Sequence, residues 1–427
     1  MTTQKPRLPA SIRQAVSAAL AKIPVSLFTE VFEKKVVEVS AKASIAETIE
    51  LLAKHDIFSA PVRNAEAKEG VTWSESHMGM VDYGAIILWV LEQADLSAVA
   101  LAVGSATAAG VAAGAVGALG ALALGATGPA AIAGLTVAAV GAAVAGGVAV
   151  EMGVSRDPQS AVDALGEDFY KVILREEPFK SVKISDIAEA YKWTPFLPVR
   201  LNDSMLTLLV LLSKYRLRSV PVVEMDQPEI KSIITQSAVV KGLSYCKGRD
   251  WFDEMAGKTM DEVGLPIMQP QEVVSIDSNK LVLEAFILMR ERRIGGLPVI
   301  DNESRRVVGN ISLQDVKYLL LNTDLFTKHR VLTVFEFMKT LTAHSSGSNP
   351  VKMMPAVTCS MKATLGQIIE NLCECNIHRI YVTDDEDHVV GVITLRNIIS
   401  CFIEEPCDFT ETYFGGLFKN AIHQKSL

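Results

Sequence analysis

The chain has 427 residues, and at ~150 residues per domain that length is a prior of two to three domains. Hydrophobic residues make up 49% and charged residues 21%, an ordinary globular balance that excludes long-range disorder as the main state. With 41 bases against 49 acids the formal net charge is −8, which leaves no basic excess to neutralise phosphates and excludes nucleic acid as the main partner.

The chain opens without a continuous apolar core of the secretory kind. Lys5, Arg7, Arg13 and Lys22 precede the first acid, Glu30, a weakly transit-peptide-like pattern. Ile12, Val16, Ala19, Leu20 and Ile23 recur at helical spacing and predict an amphipathic helix over 11–23. Residues 1–26 are read as N-terminal tail and helix, and residues 27–95 as the first of four repeats.

Between the first and second repeats, 96–150 carries no charge, and 33 of its 55 residues are Ala or Gly. Gly110 and Gly114 have a small-xxx-small spacing that packs helices in bilayers. Ala and Gly drive membrane insertion weakly, however, and Asp95 and Glu151 flank the stretch where Lys or Arg anchors are expected. The segment 96–168 is read as a low-complexity, partly helical insertion, with a membrane hairpin as the weaker alternative.

The repeat is found by spacing. Val39, Val199, Ile276 and Cys359 each close a β-like run; six residues later come Ile45, Met205, Val282 and Leu365, and sixteen after those Pro61, Pro221, Pro298 and Tyr381. Helical periodicity covers 45–57, 205–217, 282–294 and 365–377. Apolar runs follow at 59–62, 219–223, 296–300 and 379–383, then polar hairpins, then further apolar runs at 79–81, 232–235, 308–312 and 389–394. A last helical run, such as 313–321, closes the unit, which is strand–helix–strand–strand–helix. The second, third and fourth repeats are placed at 169–247, 248–325 and 326–405, with a C-terminal tail at 406–427. A unit of this size buries too little core alone, so pairing of units is expected, with ligand sites in the clefts between them.

The six cysteines (246, 359, 373, 375, 401 and 407) form no CxxC pair, which fits a reduced cytoplasmic or nuclear protein without a structural zinc. Cys373 and Cys375 lie at i,i+2 in a helical pattern and diverge.

The four units resemble the CBS domain, and four in tandem resemble the γ regulatory subunit of AMP-activated protein kinase and of the plant sucrose-non-fermenting-related kinase. The resemblance is carried by ILREEPFKSV (173–182), LLSKYRLRSVPVVE (211–224), CKGRDWFDEM (246–255), EAFILMRERRIGGLPVID (284–301), VVGNISLQDVKYLLL (307–321) and GVITLRNIISCF (391–402). It implies a mixed α/β fold of βαββα repeats in two Bateman pairs forming a flattened disc. It also implies a non-catalytic subunit that assembles with a kinase catalytic subunit and a β-type subunit, requires no cofactor, and takes AMP, ADP or ATP as regulatory ligand.

In that family G-x-x-[ST]-x-x-[DN] brings a hydroxyl to ribose or phosphate and a carboxylate to the ribose diol, which a carboxylate accepts twice. The third repeat reads Gly309-Asn-Ile-Ser312-Leu-Gln-Asp315, and the fourth Gly391-Val-Ile-Thr394-Leu-Arg-Asn397. The second ends on Thr235-Gln-Ser-Ala238 and the first on Asp82-Tyr-Gly-Ala85, where the acid is expected to repel phosphate. The family's phosphate-binding His-Arg pair is present as His378-Arg379; the matching positions elsewhere are Phe58-Ser59, Arg218-Ser219 and Gly295-Gly296. The expected nucleotide site is Ser312, Asp315, His378, Arg379, Thr394 and Asn397, in the cleft between the third and fourth repeats. Other readings of these residues are a helix N-cap for Ser312, a solvated first-turn acid for Asp315, and surface charge for His378 and Arg379.

No GxxxxGK[ST], GxSxG, HExxH or kinase catalytic motif occurs, and HRI at 378–380 lacks the catalytic acid. Glu404-Glu405 reads as a solvated acid pair. The competing function is a stand-alone CBS regulator of another enzyme or transporter, membrane-associated through 96–150. Deletion of 98–150 is expected to leave a soluble, cooperatively folded protein that keeps its partners. Aggregation of the deleted chain, or loss of all partner binding, assigns the segment to the core or to a membrane.

Overall fold

A computed structural model describes residues 10–31, 36–55, 57–67, 73–86, 89, 182–190, 196–224, 227, 229–321, 331–343 and 356–414. The uncharged stretch 96–150 lies outside the described residues. Among the described residues there are four three-stranded sheets. They are β1 (Val39–Ser40), β2 (Ser59–Arg63) and β3 (His77–Asp82), then β4 (Val199–Arg200), β5 (Ser219–Val223) and β6 (Ile230–Thr235). Next come β7 (Ile276–Asp277), β8 (Gly296–Ile300) and β9 (Val307–Ser312), then β10 (Thr358–Cys359), β11 (Arg379–Thr383) and β12 (Val389–Thr394).

In every sheet the second strand is central, parallel to the first through a helical crossover and antiparallel to the third. Val39 pairs Val62, Val199 pairs Val222, Ile276 pairs Val299 and Thr358 pairs Tyr381, and the same β-bulge falls near the end of each central strand.

Proline explains the one difference among the sheets. Tyr381 donates its N–H to Val357 O at 3.1 Å, and β10 begins at Thr358. Pro61, Pro221 and Pro298 hold that position in the other repeats and have no N–H to give. There the first strand begins one residue later, at Val39, Val199 and Ile276.

The crossover helices are Ile45–Lys54, Met205–Ser213, Val282–Glu291 and Leu365–Glu374, each three residues or more shorter than the apolar periodicity predicts. Arg216, Arg293 and Asn376 adopt left-handed backbone (φ 60°, 52° and 50°) just past three of them. The next apolar residue then folds back under the helix: Leu217 N donates to Leu211 O, Ile294 N to Met289 O and Ile377 N to Leu372 O. Those residues keep the helical pattern in sequence because they still face the core.

The segment preceding each sheet docks on the partner repeat. Val25 N donates to Asp203 O and Met205 N to Ile23 O, which fixes the N-terminal segment on the second repeat. Ile184 N donates to Ala43 O, which fixes the segment before the second sheet on the first repeat. Met260 N donates to Ala363 O and Leu365 N to Lys258 O, and reciprocally Val282 N donates to Leu332 O and Val334 N to Lys280 O. Each exchange is marked by an isolated bridge at the residue before the crossover helix: Ser204, Ser44, Thr364 and Leu281. The first repeat is thereby joined to the second and the third to the fourth.

The apolar cores run the other way. One cluster joins the first and third repeats, from Ile45, Val62 and Ile86 to Phe286, Val299 and Phe337. The second joins the second and fourth, from Leu209 and Val220 to Ile368 and Phe402, with Val16 of the helix Ala10–Leu20. Strict pairing, as the repeat count suggests, is therefore only half of the arrangement, because a repeat has two faces to cover.

The C-terminal segment and the acid pair differ from their sequence reading. Tyr413 donates to Pro198 O at 2.7 Å and stacks on Phe409, so residues 407–414 pack against the second repeat. Glu404 and Glu405 are not simply solvated. Glu404 N donates to Ser17 Oγ at 2.8 Å, its Oε2 is buried, and Glu405 accepts from the Tyr215 hydroxyl. The N-terminal helix meets Glu404 through Ser17, a contact between distant parts of the chain that local sequence does not announce.

The helix Val334–Ala343 precedes the fourth sheet in sequence yet places Phe337 edge-on to Phe286 of the third repeat at 6.4 Å, both fully buried. Phe337→Ala and Phe286→Ala are each expected to cost about 3–5 kcal/mol. In urea unfolding, the double mutant should lose less than the sum by roughly 0.5 kcal/mol or more. Strict additivity would place the helix elsewhere.

Candidate functional site

The residue that closes each third strand caps the helical turn after it. Thr235 Oγ1 accepts from Ala238 N, and Asp82 Oδ1 accepts from Ala85 N at 2.8 Å. In the third repeat the cap is reciprocal: Ser312 N and Oγ both donate to Asp315 Oδ2, at 2.6 and 2.9 Å. In the fourth, Thr394 N and Oγ1 donate to Asn397 Oδ1, at 2.9 and 2.6 Å. The N-cap reading of Ser312 therefore holds, and the capping box explains why hydroxyl and carboxyl or amide stand three apart. It also distinguishes Asp315 from Asn397. With Oδ2 committed to the cap, Asp315 keeps a second oxygen, an acceptor. With Oδ1 committed, Asn397 keeps an NH2, which only donates.

The four strand ends converge on one cavity of ≈ 2420 Å³, lined by residues of all four repeats. All six residues named from sequence lie on its wall: Ser312, Asp315, His378, Arg379, Thr394 and Asn397. So do Asp82 and Arg218 from the first two repeats. The cleft expected between the third and fourth repeats is part of a larger cavity that all four repeats line, because the cores also press the first repeat on the third and the second on the fourth. Its cationic lining is Arg216, Arg218, Lys241, Arg290, Arg292, Arg293, Arg379 and Arg396, against Asp82, Glu291, Asp315 and Glu374. The cavity is basic in a chain whose net charge is −8.

Arg379 rests on Gly295-Gly296. A Cβ on Gly295 would stand 3.0 Å from Nη2 of Arg379, and one on Gly296 would collide with its guanidinium. The third repeat's glycines at the His-Arg position are thus the seat of the fourth repeat's arginine. Nη1 of Arg379 is buried with no hydrogen-bond partner, an arrangement that costs stability unless an anion completes it. Tyr381, beside it, donates to Asn310 Oδ1 across to the third repeat, and its own hydroxyl pKa is pushed up to about 12, mainly by burial.

Arg218 is the residue that motif reading missed. It occupies the place of His378 in the second repeat, and that register is the signal that could have found it. Its guanidinium lies over the Phe58 ring, 5.9 Å from the centroid, and its Nη2 is 3.6 Å from the Cβ position of Gly295.

Burial sets the titration of the cluster. It pushes the Asp315 carboxyl above its ordinary value, against the Ser312 hydrogen bonds and the charge of Arg379. It pushes Asp82 up likewise, against the charge of Arg218 and the Ala85 amide. His378 is pushed down to about 4 by burial and by Arg379 and Arg218, so it is neutral at pH 7. The long contact of its Nδ1 with Gln314 Nε2, 3.5 Å, again links the third and fourth repeats. The arrangement offers buried guanidinium donors, a neutral imidazole and one spare carboxylate oxygen, which suits a ligand with a phosphate and a hydroxyl-bearing sugar.

The CBS domain family matches residues 184–245, 263–322 and 351–404; the first repeat is outside those matches, although its sheet has the register of the others. The chain is 49% identical over 98% of its length to the SNF1-related protein kinase regulatory subunit gamma-1-like of Arabidopsis thaliana, covering 93% of that protein. It is 34% identical over 97% of its length to the SNF1-related protein kinase regulatory subunit gamma-1 of the same plant, covering 89% of it. The 5'-AMP-activated protein kinase subunit gamma-3 of Sus scrofa is 25% identical over 50% of this chain and 39% of its own length.

Because the folded pKa of His378 lies below its ordinary 6.5, its contribution to stability is fully present above pH 6.5 and is lost as pH falls toward 4. The ligand-free protein is expected to lose up to about 3 kcal/mol by this route. His378→Gln should remove that slope from unfolding free energies measured between pH 7 and pH 4. An unchanged slope would show that the imidazole already titrates normally.

Proposed function

The chain belongs to the family of γ-type regulatory subunits of SNF1-related protein kinases, built from CBS domains, and from that membership we propose that it is the adenine-nucleotide sensor and scaffold of a kinase complex containing a catalytic and a β-type subunit. The single observation that carries the ligand reading is Arg379, whose Nη1 is buried without a partner in a basic cavity of an acidic chain. An anion held inside the protein removes that cost. The name of one relative, a 5'-AMP-activated protein kinase subunit, points to AMP, and ADP and ATP carry the same adenosine and phosphate groups.

In this reading the phosphate meets the Arg379 guanidinium, with His378 donating as a neutral imidazole. The ribose diol meets the spare oxygen of Asp315. Asn397 cannot replace it, because its remaining group is a donor, so the cavity has one full ribose site. A ligand spanning Asp315 and Arg379 links the third repeat to the fourth. It shifts the kinase only by its differential affinity for two arrangements of the repeats.

Asp315→Asn is the informative change, because the amide oxygen keeps the cap while the acceptor facing the ligand becomes a donor. It is expected to weaken AMP, ATP and adenosine alike, by about tenfold or more. Arg379→Ala should weaken the nucleotides far more than adenosine, which has no phosphate. Calorimetric titration decides, and a wild-type chain that takes none of the three at millimolar concentration leaves a scaffold only. Co-expression with catalytic and β-type subunits should yield one complex; failure to assemble favours the stand-alone regulator.

A further inference from the structure

Asp82 is a carboxylate in the wall of a cavity otherwise suited to anions. It closes β3, where Thr235, Ser312 and Thr394 close the other third strands. Capping does not require its charge, since Thr235 caps with a hydroxyl. The difference lies toward the ligand: a hydroxyl can donate to a phosphate oxygen, whereas a carboxylate only accepts.

Its surroundings are specific. The β2–β3 register sets Asp82 opposite Ser59, next to Phe58, and the Phe58 ring carries the guanidinium of Arg218. Arg218 in turn reaches Gly295 of the third repeat. Asp82 and Arg218 both line the cavity and make no direct ion pair; each charge favours the other through space, against the cost of burial. On the other side Asp315 stands three residues past its strand end, at the sugar position, and leaves the Arg379 Nη1 unpartnered.

We propose that Asp82 is a built-in counter-anion for Arg218, holding that guanidinium against a ligand phosphate, so that the chain takes a single phosphate-bearing ligand, on Arg379. The proposal deepens the nucleotide reading and rests on it for the ligand's identity, but the repulsion applies to any phosphate anion.

Asp82→Ser in the full chain keeps a capping oxygen and removes the charge. Titration with AMP should show one equivalent for wild type and two for Asp82→Ser. Adding Arg218→Gln should abolish the second equivalent, and Arg379→Ala the first. Pyrophosphate separates this proposal from the nucleotide reading. In an Arg379→Ala background, Asp82→Ser is expected to strengthen pyrophosphate binding by roughly tenfold or more, since a buried like charge has been removed, whether or not wild type binds AMP. A folded Asp82→Ser with no gain in either titration overturns the proposal, as does a wild type that already takes two equivalents. Should Asp82→Ser fail to fold, Asp82→Asn, which retains the same cap acceptor, is read by the same criteria.

Discussion

Each repeat is a three-stranded sheet with one crossover helix, and its own residues leave the start of that helix and one face of the sheet uncovered. The chain covers them with the short segment that precedes the neighbouring sheet, tied by backbone hydrogen bonds on either side of the helix N-cap, as between Val334 and Lys280 or Met260 and Ala363. The exchange is reciprocal within the first and second repeats and within the third and fourth. Neither member of a pair is complete alone, so relative movement within a pair requires breaking backbone hydrogen bonds as well as apolar contact.

The cores impose the second constraint. With Phe286 packed among residues of the first repeat's cluster, and Phe402 among those of the second's, each repeat is held by one neighbour through exchange and by another through side chains. The strand ends then have one place to meet. The residues that collect there are set by local needs: a helix cap at each third strand, and the residue before each central strand aimed inward. The cavity is the common product of four identical local structures, and its chemistry differs from side to side only through the residues at those positions. Gly295-Gly296 shows how such differences interlock, since the absence of side chains in one repeat makes room for Arg379 of another.

The charge pattern bears on mechanism. His378 is neutral because burial and two guanidinium groups hold it so, and Asp315 retains an acceptor because its cap uses only the other oxygen. An anion in the cavity would complete interactions that these groups leave open. No helix among the described residues is long and apolar enough to cross a membrane.

The repeat, its strand order and its caps are encoded locally. Spacing between Val39 and Ile45, and between Ile45 and Pro61, is local information, since a crossover helix of fixed length must return the chain to the same register. Even the one-residue shift of β10 is written in the sequence, as Tyr381 where three prolines stand elsewhere. That the six candidate residues reach the cavity wall was legible for the same reason, each standing at the start of a central strand or at or just past the end of a third strand. Long-range packing settled the rest: which repeats share a core, that Glu404 meets the N-terminal helix, and that Arg218 lines the same cavity as Arg379. Those depend on how sheets of equal register pack against one another. Equal register gives every repeat the same apolar faces, and the choice of partner is then made by close packing across long sequence separation, which no local pattern encodes.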